Sequence, residues 1–143
     1  MIQPILLYGS ELWGFEASKC IENIHLKFCK RMLNIKQNTP EPAVLGELGK
    51  YPLFICHFKK VISYWLKILH MDENGYPKRC YLFLLSLDEA RKTKGNWATG
   101  VKTLLYRYGF KYVWMSQGVG NVSTFLKDFV HVYAGVAFYV EYL

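Results

Sequence analysis

Apolar residues recur at helical spacing through most of this chain. Between Ser18 and Lys36, the residues Ile21, Ile24, Phe28, Met32 and Ile35 fall on one face at three- and four-residue intervals, and Ser18 stands where an N-cap belongs. A second periodic stretch opens at Tyr51–Pro52 and runs to about His70. Phe54, Phe58, Val61, Trp65 and Ile68 make its apolar face, widened by Ile55, Ile62 and Leu69, with Lys59, Lys60, Ser63 and Lys67 opposite. Between these two, Thr39 and Pro40 open a short helix that Gly49 stops.

Downstream, a turn at residues 72–75 precedes a helix predicted over residues 77–91. Another follows from an Asn96 cap through Trp97, Val101, Leu104, Leu105 and Tyr108 to a stop at Gly109. A last element, from about Ser123, carries Phe125, Phe129, Val132, Val136 and Val140 as one stripe, although its β-branched residues weaken the helical preference. Residues 110–114 are too few to assign, and the glycine-punctuated segment 5–14 reads as the end of a buried element followed by a turn. The pattern predicts an all-α fold, an irregular helical bundle of about five to six helices.

Composition agrees with a packed core: of 143 residues, 52% are hydrophobic and 17% aromatic, which excludes a disordered chain. Eighteen Lys and Arg against eleven Asp and Glu give a formal charge of +7, a field that favours polyanions. On the first long helix Lys19, Asn23, Lys27, Lys30, Arg31 and Asn34 form a face with no acidic residue, and Glu22 projects away from it. Cations along a rigid rod suit phosphate contacts. The candidate nucleic-acid-binding residues are therefore Lys19, Lys27, Lys30 and Arg31, with Lys59, Lys60 and Lys67 on the next long helix, where Tyr64 could stack on bases.

Other chemistry is not expected. Asp72 and Glu73 sit in a turn, while Asp88 and Glu89 are helix neighbours that diverge by about 100°, so neither pair suits two-metal catalysis. Cys56 and His57 are likewise adjacent on a helix and do not face each other. Gly118-Val119-Gly120 lacks the preceding strand of a phosphate loop. The cysteines Cys20, Cys29, Cys56 and Cys80 have no C-x-x-C spacing, which argues against structural zinc. No catalytic, metal or cofactor site and no small-molecule substrate are expected. With no secretory signal at the N-terminus, reduced thiols and an intracellular setting, nuclear or cytoplasmic, are the expectation. The most apolar run, Phe129 to Leu143, is shorter than the ~20 residues that span a bilayer.

Three stretches resemble one family. These are Leu6-Leu7-Tyr8-Gly9-Ser10-Glu11-Leu12-Trp13-Gly14, the helix from Ile24 to Leu33, and the run from Thr39-Pro40 through Gly46-Glu47-Leu48-Gly49-Lys50-Tyr51-Pro52-Leu53. In this order and spacing they resemble the region downstream of the catalytic palm in reverse transcriptases of non-LTR (LINE-like) retrotransposons. Asn96-Trp97-Ala98 and the run from Trp114 to Asn121 resemble the tail of the same reading frames. The resemblance implies a remnant of the palm-to-thumb connection over 1–15, a thumb-like helical domain over 16–72 and a helical extension over 73–143. It implies a thumb that grips an RNA or RNA–DNA template–primer duplex, in a chain without the palm and therefore catalytically inactive. Beyond Phe129 the resemblance fails, and a loosely held end is expected there. The rival readings are a helical interaction or structural module without nucleic-acid binding, and a membrane-associated protein using the apolar C-terminal segment.

Overall fold

The computed structural model describes residues 2–92 and 95–141, with side chains through Gly135. Its helices are α1 (Gln3–Leu6), α2 (Ser10–Trp13), α3 (Lys19–Met32), α4 (Glu41–Glu47), α5 (Leu53–Leu69), α6 (Tyr76–Glu89), α7 (Trp97–Arg107), α8 (Lys111–Ser116) and α9 (Val122–Glu141). No strand occurs among the described residues. The all-α architecture is as expected, but the estimate of five to six helices is too low. The additional ones, α1, α2 and α8, have four to six residues each. One or two turns carry too few positions for a periodicity to register, and such helices form through tertiary packing rather than propensity.

The long helix α5 is the axis of the fold, packing against α2, α3, α6, α7 and α9. Of the positions read from the pattern, Phe54, Ile55, Phe58, Val61, Ile62, Trp65 and Ile68 are buried and Leu69 is half-buried, and Leu53, His57 and Leu66 join them in the interior. Around them a single cluster gathers Tyr81 from α6, Val101, Leu104 and Leu105 from α7, Val113 and Trp114 from α8, and Phe125 and Phe129 from α9. Trp65, fully buried, stacks on Trp114 at 5.6 Å and donates its indole N–H to the Tyr81 hydroxyl at 3.0 Å. That hydroxyl donates in turn to Gln117 Oε1 at 2.7 Å. Each fully buried large side chain contributes about 1.5–3 kcal/mol, so this cluster dominates the stability of the molecule.

Caps explain several boundaries. Asn96 Oδ1 accepts from the Thr99 amide at 3.1 Å and starts α7, as expected. Gly49 and Gly109 stop helices with φ of 58° and 83°, a region open to glycine at little cost. Ser18 makes no side-chain cap, and the N-cap of α4 is Pro40 rather than Thr39. A carboxylate from elsewhere takes over one such role. Glu22 of α3 accepts from the amides of Leu53 at 3.1 Å and Phe54 at 2.6 Å, the first two residues of α5. Those amides have no partner within their own helix, and a carboxylate there also complements the helix dipole.

This contact is tied to the main departure from the pattern. α3 is rotated from its expected orientation: His25, Leu26 and Cys29 are buried, whereas Ile24 is 46% and Met32 70% exposed. Leu26 and Cys29 form a small separate cluster with Val44 of α4, flanked by Leu33, Ile35 and Leu48. The helix carries apolar residues on two faces, and the face that also offers Glu22 to α5 is the one turned inward.

The second departure concerns α9. Val132 is 44% exposed and Tyr133 only 5%, so the buried stripe runs Phe125, Phe129, Tyr133. Tyr133 packs edge-on against Phe58 at 5.0 Å and Tyr108 at 4.1 Å, and accepts a 2.8 Å hydrogen bond from the Tyr108 hydroxyl. The chain just beyond Phe129 is therefore part of the core, contrary to the loose end expected. Val136 and Val140 lie outside the residues whose side chains are described. Among the described residues no helix is long and apolar enough to cross a membrane.

Candidate nucleic-acid interface

The cationic face of α3 is turned outward. Lys19, Asn23, Lys27, Arg31 and Asn34 are exposed, and Glu22, the acidic residue of this helix, is held beneath them by the amides of α5. Inward commitment of the carboxylate leaves the outer surface of α3 positive along about three turns. Ile24 and Met32 interrupt it, so the cations are set among apolar side chains rather than in an unbroken polar row. Lys30 differs from its neighbours. Half-buried, it donates from Nζ to the Gln37 carbonyl at 2.7 Å and ties the chain leaving α3 back onto the helix.

The α5 cations form a separate group. Lys59 and Lys67 are exposed. Lys60 donates to the Leu7 carbonyl at 3.0 Å and pairs with Glu11 at 3.8 Å, so it fastens the N-terminal segment to α5. Lys60, Lys67, Ser63, Tyr64 and Glu11 line one shallow depression of about 200 Å³, which the α3 cations do not share. Tyr64 packs edge-on against Trp97 at 5.9 Å and is half-buried.

The sequence signalled neither commitment, because each lysine bonds a carbonyl whose position depends on the fold. The same segment is fastened at further points. Trp97 donates from Nε1 to the Glu11 carbonyl at 3.0 Å, and the buried His57 ring lies 3.4 Å from the Leu6 carbonyl and 5.1 Å from the Trp13 ring centroid.

Among the described residues, burial shifts the titratable groups of the interior toward their uncharged forms. Burial depresses the His57 pKa, against the hydrogen bond to Leu6 and with the nearby Lys60 charge adding to the depression. Burial raises the Cys56 thiol. A closer cysteine–histidine pair lies one turn apart on α3, where Cys29 Sγ sits 3.6 Å from His25 Nε2. The i,i+4 spacing was its signal in the sequence. Cys29 is 3% exposed, burial raises its pKa, and burial with the Lys50 charge lowers that of His25. A protonated, enclosed thiol beside a neutral imidazole is inert.

Asp72 and Glu73 are exposed in their turn, and Asp88 accepts from the Thr99 hydroxyl at 3.0 Å. Among the described residues no group of three or more His, Cys, Asp or Glu is placed to hold a metal ion. The Gly118–Gly120 loop is held by Ser116, whose hydroxyl donates to the Gly118 carbonyl at 2.9 Å. Comparison of the chain with protein-family models, with curated proteins and with solved structures gives no match.

Proposed function

We propose that this chain is a catalytically inactive piece of a retrotransposon-type reverse transcriptase that binds the backbone of an RNA or RNA–DNA duplex through α3. The observation that carries the reading is the outward row of Lys19, Lys27 and Arg31, with Glu22 withdrawn to the start of α5. Lys59 and Lys67 form a separate cationic group on α5 and contribute less. Lys30 and Lys60 serve the fold first, because their ammoniums already donate to backbone carbonyls. The apolar Ile24 and Met32 lie against the sugar edge of a bound strand.

Backbone binding of this kind is electrostatic and reads no sequence. With three phosphate contacts, log K should fall against log salt with a slope of roughly −2 to −3. The test is a salt titration of a labelled RNA–DNA hybrid against the full chain and against Lys19→Glu, Lys27→Glu, Arg31→Glu combined. Loss of binding in the folded triple variant, and indifference of the unmodified chain to sequence, are the expected results. Undiminished binding by that variant would overturn the assignment to α3.

A further inference from the structure

A second cationic surface lies on α7 and α8. From Ala90 to Lys127 the sequence has seven Lys or Arg and neither Asp nor Glu. The fold gathers part of this run around Tyr106. The ammoniums of Lys102 and Lys111 stand 5.9 and 5.5 Å from its ring centroid, and its hydroxyl reaches Met115 Sδ at 3.8 Å. Both ammoniums thus lie beside one ring.

Next to them Tyr112 and Met115 are 64% and 68% exposed. The inner row of the same short helix explains why these side chains point outward. Val113 and Trp114 are buried, Trp114 against Trp65, and the buried Phe110 backs Tyr112 at 6.3 Å. The core fixes α8, and α8 presents the exposed Tyr112 and Met115 on the same short helix as Lys111, whose ammonium shares the Tyr106 ring with that of Lys102.

We propose that this surface binds unpaired nucleic acid, Tyr112 stacking on a base while Lys102 and Lys111 contact the flanking phosphates. An open aromatic face stacks on any base, but only on one not already sandwiched in a duplex. The ammoniums, each within 6 Å of the Tyr106 centroid, are close enough to serve successive nucleotides of one strand. Carboxylates border the surface on one side: Asp88 and Glu89 line, with Lys102, a cleft of about 470 Å³ that reaches to Trp114 and Gln117. The inference stands independently of duplex binding by α3, since it uses different residues and a different form of nucleic acid.

The test measures anisotropy of a short labelled oligo(A) RNA and, separately, of an RNA–DNA hybrid. The proteins are the full chain, Tyr112→Ala with Met115→Ala, Tyr112→Phe, Lys102→Glu with Lys111→Glu, and the α3 triple variant. Loss of a stacked base should weaken single-strand binding by roughly five-fold to 100-fold in the Tyr112→Ala pair. Tyr112→Phe and the α3 variant should keep it, and the Lys102, Lys111 pair should lose it.

Lys111, Tyr112 and Met115 are exposed and Lys102 is half-buried, so these substitutions should leave the melting temperature nearly unchanged. If the alanine pair fails to fold, crosslinking of thiouridine-substituted RNA to the unmodified chain replaces it, with the adduct expected between Tyr106 and Met115. Three results would overturn the proposal. These are no single-strand binding, binding lost on charge reversal but not on removal of Tyr112, and binding of phosphatidylserine vesicles without binding of RNA.

Discussion

Two regions of this molecule are built to different standards. The core around α5 joins α6 to α9 through stacked and edge-on aromatic rings, with Trp65, Phe129, Val61, Val101 and Val113 essentially without solvent contact. Among the described residues, α3 and α4 bury only Leu26, Cys29, Val44 and Leu45 as apolar residues, the first three of them as one small cluster. What α3 lacks in packing it makes up with one directed contact, Glu22 to the amides of Leu53 and Phe54. A region with so few buried contacts opens at a lower free energy than the core. The surface proposed to grip a duplex therefore sits on the more yielding part, and the surface proposed to hold a single strand sits on the more rigid one.

The largest effect should come from the rigid side. Phe129→Ala removes a ring that touches Tyr108, Phe110, Phe125 and Tyr133, and should cost about 3–5 kcal/mol in denaturant unfolding. A cost below about 1 kcal/mol would place the principal core elsewhere. Glu22→Ala should cost less, about 2 kcal/mol, because two charge-assisted hydrogen bonds disappear and two amides lose a partner. Hydrogen exchange should then quicken across α3 and the first turn of α5 while α7 to α9 keep their protection. Equal acceleration everywhere would show the two regions to be one cooperative unit.

A smaller effect is expected from pH. His25 and His57 are both depressed below 6.5 by burial. As pH falls below about 6.5 the unfolded chain takes up protons that the folded chain resists, so stability is full above that value and declines below it. Denaturant midpoints at neutral and mildly acid pH should show the decline, and His25→Leu should flatten part of it. His25 Nδ1 has no hydrogen-bond partner and Nε2 meets only the Cys29 thiol at 3.6 Å, so the substitution itself should cost little at neutral pH. A midpoint that rises on acidification would contradict the burial of both rings. Smallest of all, charge reversal at Lys19, Lys27 and Arg31 should change stability by no more than about 0.5 kcal/mol per site. A thermal melt decides this, and a large drop would mean that these side chains support the fold.

The two regions also differ in how far the sequence discloses them. In α5 the apolar and charged positions separate well, so most of its buried face could be read directly, though not Leu53, His57 and Leu66. In α3 two faces compete, Ile21, Ile24, Phe28 and Met32 against Leu26, Cys29 and Leu33. The winner is decided by where Glu22 and Val44 lie, which no local pattern contains. The exposure of Lys19, Lys27 and Arg31 was legible because charged side chains avoid burial. The engagement of Lys30 and Lys60 was not, because their acceptors are carbonyls of other segments. Tyr133 escaped notice because a valine at 132 fits an apolar stripe as well as a tyrosine at 133 does. The acid-free run from Ala90 to Lys127 was visible throughout, but its concentration around Tyr106 needs α7 and α8 side by side.

The contact between Glu22 and the start of α5 has a further use. Anything that pulls on α3 or neutralises its outer face must alter the geometry of a carboxylate seen by two backbone amides in a different segment of the chain. The Leu53 and Phe54 N–H groups, at 3.1 and 2.6 Å from that carboxylate, are thus a built-in spectroscopic gauge. In a two-dimensional amide spectrum, a ligand that engages α3 would displace these two resonances although it touches neither residue. A ligand confined to α8 would leave them in place.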